Sequence, residues 1–598
     1  MLAAIAVAAS AAELPSQTLA FPGAEGAGRF TSGGRGGTVV HVTNLNASGP
    51  GSFADAVSGP NRIVVFDVSG IIDLAEKKGS GGHVRVEHPN ITIAGQTAPG
   101  EGICLRGGSL DILAPNVLVR HIRVRRGFIA HGDSGDALMV KPRATGEKQE
   151  PAGTTAAEFE ATRIKKLERG KTLQAFSDID NIVIDHCSAS WATDENLTVT
   201  HAGLATISFC LAAEGLDYAN PKQTPPNHSE GGLWGSAAPD GRSTMHHVLF
   251  AHNRLRNPRT TAGNAMPPVL TLYNSVVYNW SEYPTHTGSE RVRLQWLNNT
   301  YVPGPSTPAD VREIGFQFQG DPRSQVFAAG NVIVDSPQAT ANNRLAITYG
   351  RKLKAVSTED RAAMIVNEPF AELPERLETA EQSFARVLNE AGAILPARDS
   401  VDLRIVESVR ARTGKVIESE TDLAARDRWP DYRSLPAPAD ADRDGMPDFW
   451  ERQFGFDPRN AADGGALGAG GYTRVEHYFN NSEPRPNTKG AAIVHVAATV
   501  SRAYASDRRS GEWRVTRTGD TLAPLTVRYR VSGDARAGKD FAALSGRVTI
   551  PAGDAIAAVT LTPLTSAADD RTVVVALEPD GESYFAGCPA QSLIVIRR

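Results

Sequence analysis

Two stretches of this 598-residue chain carry side chains whose types and spacing could do chemistry together. Asn181–Thr198, NIVIDHCSASWATDENLT, opens on the apolar run Ile182, Val183, Ile184 and ends, beyond a polar turn, on adjacent carboxylates, Asp194 and Glu195. A continuous apolar run bounded by turn residues reads as a strand, so the acids stand at its rim. His246–Arg259, HHVLFAHNRLRNPR, opens with another short apolar strand, Val248–Phe250, and delivers the cations Arg254, Arg256 and Arg259. Pro258 ends regular structure among them, since proline has no N–H and a fixed φ. Acids ending one strand and cations ending another suit an anionic substrate held with the help of a metal ion.

A second acidic pattern lies at Asp440–Glu451, DADRDGMPDFWE. Asp440, Asp442, Asp444, Asp448 and Glu451 fall at positions 1, 3, 5, 9 and 12, with Gly445 at position 6 and Met446 at position 7, where a backbone carbonyl serves. That is the oxygen-ligand spacing of a calcium loop. The preceding LPAPAD is proline-rich rather than helical, so the loop reads as a structural calcium site and not as half of a paired helical sensor. It resembles the aspartate-rich loops of thrombospondin type 3 repeats.

The elements that must position these groups are short and repeated. Apolar runs opening at Asn90, Asn116, Asn181, Ala205, His247, Leu270, Leu294 and Val326 recur every 20 to 26 residues or so, with a long insertion after the second. Strands recurring at such a period predict a solenoid of β coils. Cys187 and Cys210 fall one period apart, as do several asparagines closing strands, which predicts interior columns of small side chains and amide ladders. His186, His246 and His247 read as packed solenoid side chains. The insertion contains AAEFEATRIKKLERG, with helical spacing, and helical spacing returns between Ser357 and Gly414 in EQSFARVLNEAGA. From Ala491 onward, alternating apolar and polar residues predict six or seven short strands and a β-sandwich.

Lys plus Arg number 62 against 67 Asp plus Glu, a net charge of −5, which gives no reason to expect nucleic acid or an anionic membrane as partner. The first residues, MLAAIAVAASAAELPSQ, look like the back half of a secretory signal peptide, which predicts a secreted or periplasmic protein. The run is too short to span a membrane, and no longer apolar run exists. Four cysteines are too few for a disulfide scaffold.

Several ordered motifs carry a family resemblance: FPGAEGAGRFTSGGRGG at Phe21, GSFADAV at Gly51, FDVSGII at Phe66, ITIAGQTAPG at Ile91, GDALMV at Gly135, VIDHCSASWATDEN at Val183, HHVLFAHNRLRNPR at His246 and LYNSVVYNW at Leu272. Together they resemble the pectate lyase family, the first family of polysaccharide lyases. Ala385–Gly414 resembles the tail of its bacterial members, and Val515–Asp554 resembles a Calx-beta domain. The acidic cluster such domains carry late in their sequence is reduced here to Ala567-Ala-Asp-Asp-Arg571. The resemblance implies an all-β chain: a signal-peptide remnant at 1–12, a right-handed parallel β-helix lyase domain at 20–350 with a helical insertion at 141–177, and a helical extension at 351–434. A linker at 435–490 with the calcium loop 440–451 and an antiparallel Calx-beta-like β-sandwich at 491–598 complete it.

It further implies a calcium-dependent lyase that cleaves pectate or pectin, a plant-type acidic polysaccharide, by β-elimination to 4,5-unsaturated products. By position in the motifs, Asp136, Asp194 and Glu195 hold Ca2+, with Asp133 as an extra ligand, and Arg256, opening an R-x-P motif, is the base. His228, Glu230 and Arg259 fall at substrate-binding positions. Two departures stand out: Glu230 occupies the place of a family lysine that grips a substrate carboxylate, and Thr261 that of a second arginine. Both argue for a less anionic polymer than fully de-esterified pectate. The rival expectations are a glycoside hydrolase on the same scaffold, which needs two flanking carboxylates and no arginine, and a non-catalytic pectin-binding adhesin whose C-terminal sandwich meets glycan or the cell surface.

Overall fold

The computed structural model describes residues 18–75, 82–128, 135–141, 179–218, 227–236, 241–262, 267–485, 491–564 and 569–597. The expected signal-peptide remnant, Asp133 and all but the first residue of the expected helical insertion 141–177 lie outside these ranges.

From Thr38–Val42 to Ile365–Val366 the chain winds through three parallel sheets, one of eleven strands and two of nine. Each coil lays its strands beside those of its neighbours, so that Ile182 pairs with Val117 on one side and Ala205 on the other. This is the parallel β-helix. The strands legible in the sequence are mostly those of the eleven-stranded sheet. One differs: the run opening at His247 belongs to Leu249–Ala251 in a nine-stranded sheet, while the eleven-stranded sheet takes Arg242–His246, RSTMH, whose polar residues mask its period.

The coil leaves the eleven-stranded sheet at a single left-handed residue, in turn His121, His186, Phe209, His247, Asn274 and Asn298, with φ between 48° and 56°. A side chain in that region costs about 1–2 kcal/mol. Stacking between successive coils offsets it: ring centroids lie 5.0 Å apart for His121–His186, 4.8 Å for His186–Phe209 and 4.5 Å for Phe209–His247, and such pairs contribute about 0.5–1.5 kcal/mol each. Asn274 and Asn298, which tolerate the conformation better, both donate to Glu378 O at 2.7 Å.

Inside the coils one apolar cluster runs the length of the solenoid, with Cys187 and Cys210 buried within it as free thiols. An amide ladder closes its later coils. Asn299 donates to Asn331 Oδ1 at 2.9 Å, and Asn331 to Asn343 Oδ1 at 3.0 Å, while the same oxygens accept the backbone N–H groups of Asn299 and Asn331. Helix Ala380–Glu390 opens on a capping box, Thr379 with Gln382, and helix Ser400–Ala411 on the N-cap Asp399. Their Val387, Leu388, Val401, Ile405 and Val409 cover Leu211, Leu249 and Val276 of a nine-stranded sheet. The buried Arg125 bonds Asp402 at 2.7 Å and so fixes the second helix to that sheet.

Between Ala492–Val500 and Gln591–Arg597 two further sheets, of four and five strands, pack around Trp513, Val527 and Ile594. Their pairings are antiparallel except for Ala492–Val500 with Tyr584–Ala586 and Arg502–Tyr504 with Gln591–Arg597, which run parallel. Glu101 of the β-helix takes a two-pronged bond from the buried Arg502 of this unit, one prong at 2.9 Å.

Asn331 has both amide atoms engaged in the solenoid interior, so Asn331→Leu strands buried donors on its neighbours. It is expected to destabilise the β-helix by about 1–3 kcal/mol in denaturant titration, whereas an exposed control such as Asn367→Ala stays within about 0.5 kcal/mol.

Candidate active site

In one nine-stranded sheet, strands Leu138–Val140, Glu195–Val199, Glu230–Ser236 and Arg259–Ala262 lie side by side in that order. Coil stacking spaces them by about 4.8 Å. Whatever stands at the leading end of each strand is therefore brought into one row. Asp136 precedes the first strand, Asp194 and Glu195 open the second, Glu230 opens the third, and Arg256 comes from the turn ahead of the fourth. Glu195 and Glu230 are direct pairing partners, and Gly232 N donates to Arg256 O at 2.6 Å.

The turn carrying Arg256 is held from below by buried amides. Asn196 donates to Asn253 Oδ1 and Asn253 to Asn257 Oδ1, both at 3.0 Å, and all three side chains are shut off from water. Arg256 itself sits in the left-handed region at φ 60°. Gly231 lets it come close, since a Cβ there would meet Asn257 Oδ1 at 2.4 Å and Arg256 O at 2.6 Å. This amide chain joins the two motifs that the sequence set apart. Asn196, Asn253 and Asn257 are positioning residues that sequence reasoning missed; their recurrence beside Asp194, Arg254 and Arg256 was the available signal.

The Arg256 guanidinium is ion-paired with both Glu195 and Glu230. His228 bonds Asp194 at 2.7 Å and faces Glu230 at 3.5 Å, so it spans the same row. Arg254 is engaged elsewhere, with Glu282 at 2.7 Å and Asn227 O at 3.0 Å. Arg259 lies half-buried on its strand, and burial together with the Arg256 charge lowers its proton affinity. Thus the structure brings together Asp136, Asp194, Glu195, His228, Glu230 and Arg256, with Arg259 beside them; Asp133 lies outside the described residues.

Ligand atoms of Asp136, Asp194 and Glu195 lie within 4.8 Å of one another. Burial and the Asp194 charge push Asp136 up to about 6, and burial with both neighbouring carboxylates pushes Glu195 well above the usual range. Burial would raise Asp194 too, but the hydrogen bond from His228 outweighs it and holds the group at about 2. Three crowded carboxylates offering only oxygen fit a hard divalent cation such as calcium.

A second acidic cluster forms at the loop 440–451. Asp440, Asp442 and Asp444 converge within 4.8 Å, and so do Asp444, Glu451 and a residue the sequence reading missed, Asp463. Burial and the surrounding carboxylates push Asp444 up to about 7 and Glu451 up to about 8. Asp448 is occupied otherwise, accepting from Ala441 N at 2.9 Å and pairing with Arg452 at 2.7 Å, and the Met446 side chain is buried in an apolar cluster.

No protein-family model matches the chain. A curated relative from Aspergillus flavus, named as a probable pectate lyase C, is 30% identical over 478 residues, 78% of this chain and 95% of its own length. A relative of the same name from Aspergillus terreus is 31% identical over 480 residues, again 78% of this chain. Among solved structures, a Bacillus subtilis pectate lyase aligns over 64% of this chain and 99% of its own at 15% identity, with a TM-score of 0.39. A β-helix with such relatives defines a polysaccharide lyase. The chain belongs to the pectate lyase family.

Because folding raises the proton affinity of Asp136 and Glu195, the folded state binds more protons than the unfolded one. Their contribution to stability is present below the unfolded value near pH 4 and is lost as pH rises, through about 6 for Asp136 and above the usual carboxylate range for Glu195. In chelator, stability is therefore expected to fall across that window, and Asp136→Asn should flatten the fall. Denaturant midpoints at pH 4.5, 6 and 7.5 check this; an unchanged slope in the variant would contradict it.

Proposed function

We propose that this protein is an exported, calcium-dependent lyase that cleaves a pectate- or pectin-type uronate polymer by β-elimination. The observation carrying the proposal is the row itself: three carboxylates within reach of one cation, beside an arginine held over them by a rigid turn. Calcium held by Asp136, Asp194 and Glu195 would neutralise the substrate carboxylate and so make the proton on C5 easier to remove.

Arg256 is the proposed base. A guanidinium gives up its proton only under strong persuasion, and here it is paired with two carboxylates. To accept a proton from C5, Arg256 must first have released one of its own to water and part from both carboxylates; a cation sharing Glu195 would loosen one of these pairs. The C5–H electron pair then becomes the C4–C5 double bond, the C4–O bond breaks, and the departing oxygen takes up a proton, leaving a 4,5-unsaturated end. Asn196, Asn253 and Asn257 keep the Arg256 turn in place meanwhile. Arg259 offers a cation to a neighbouring substrate carboxylate, and Glu230, buried against Arg256, offsets positive charge that would otherwise meet the polymer and so favours partly esterified chains.

Product formation is followed by near-ultraviolet absorbance on polygalacturonate and on methylated pectin, with calcium and with chelator. Absorbance is expected with calcium alone, reduced at least about 100-fold in Arg256→Ala. Glu230→Gln is expected to move the preference towards polygalacturonate. Reducing ends released without absorbance would point to hydrolysis, and binding without either to an adhesin; each would overturn the proposal.

A further inference from the structure

Several acids clustered at the loop 440–451 keep oxygens that the protein around them does not satisfy. Asp440 accepts from Arg443 N at 2.7 Å and Gly445 N at 3.0 Å, Asp442 Oδ1 from Asp444 N at 3.4 Å, and Asp444 Oδ1 from Met446 N at 2.9 Å. One oxygen of each of Asp442 and Asp444 thus holds the loop closed. The other, Oδ2 in both, is buried without a hydrogen-bond partner. Glu451, 0% exposed on helix Asp448–Phe454, has neither oxygen partnered. Asp463 arrives from a separate turn with Oδ1 likewise buried and unpartnered, while its Oδ2 meets Arg474 at 3.1 Å.

Burying one carboxylate oxygen without a partner is costly, and several converging on one point repel each other besides. The natural remedy is a cation at that point. Five carboxylates and no nitrogen or sulfur donor among the clustered groups select a hard ion with a high coordination number, which is calcium.

We propose that Asp442, Asp444, Glu451 and Asp463 bind a calcium ion that is separate from the lyase site and braces the junction between the β-helix and the C-terminal sandwich. The loop stands at that junction. Met446, Trp450 and Phe454 share one apolar cluster with Ile63 and Val65 of the β-helix and with Ile493 and Phe585 of the sandwich. Gly445, at φ 88°, seats the loop against the first β-helix strand, since a Cβ there would lie 2.9 Å from Val39 Cγ1. The ion would therefore tie Asp463 and the helix bearing Glu451 to a loop resting on the solenoid. Asp463 is the ligand that the loop alone does not supply.

The test compares the full chain with a Glu451→Gln, Asp463→Asn double variant, away from the lyase row. Bound calcium is counted by equilibrium dialysis, and thermal unfolding is followed in calcium and in chelator. The double variant is expected to bind one ion fewer per chain, to melt above the wild type in chelator because like charges have been removed, and to melt below it in calcium. Equal ion counts and an equal calcium-dependent rise in melting temperature would overturn the proposal. Should the variant not fold, terbium emission excited through tryptophan decides. Emission that calcium displaces and that Trp450→Phe removes supports the site; emission indifferent to Trp450→Phe rejects it.

Discussion

Parallel stacking of coils at a fixed spacing is the constraint on which the rest of the molecule depends. It turns a position within one coil into a row across many, and every row must then be chemically tolerable at about 4.8 Å spacing. Apolar interior rows gain from this, as the cluster running through the solenoid does. Amide rows gain as well, because each asparagine both donates and accepts along the axis. A row of carboxylates does not. Asp136, Asp194, Glu195 and Glu230 stand in such a row with Arg256 and His228 to counter them, and their mutual repulsion makes the site a receptor for positive charge.

The same stacking decides where strain can be accommodated. Left-handed corners recur up one edge of the eleven-stranded sheet, and the rings of His121, His186, Phe209 and His247 offset their cost by packing on one another. Arg256 occupies a left-handed corner of its own, on the edge beside the acids. Among the described residues no ring stack supports it there. Its support comes from the buried chain Asn196, Asn253, Asn257 beneath and from the glycine at 231 that clears its path. Rigid, polar contacts thus surround the residue proposed to meet substrate.

Much of this was legible in the sequence because the relevant signals are local. Ile182–Ile184 and its counterparts announce strands by composition, and the recurrence of such runs announces a solenoid. DEN and R-x-P announce acids and an arginine at strand ends. Contacts set by coil register were not legible: Glu230 reads as a lost cation, and only the alignment of Glu230 with Glu195 reveals that it grips Arg256. Asp463 was hidden for a similar reason, since the loop spacing ends at Glu451 and the additional carboxylate comes from a different turn. The polar strand Arg242–His246 escaped because its polar residues, most of them buried, break the apolar run. The parallel pairs within the C-terminal sheets depend on which strands meet in space, which alternation cannot specify.

Two acid clusters, one on the solenoid face and one at its junction with the sandwich, share one physical feature, carboxylates crowded together away from water. In the proposed mechanism the row on the face is the calcium site that serves the chemistry. Its most direct test is a calorimetric calcium titration of Asp136→Asn, made in the Glu451→Gln, Asp463→Asn background so that the junction is silent. Affinity is expected to weaken at least about tenfold, about 1.4 kcal/mol, relative to that background alone. Affinity unchanged by the loss of Asp136 would contradict it.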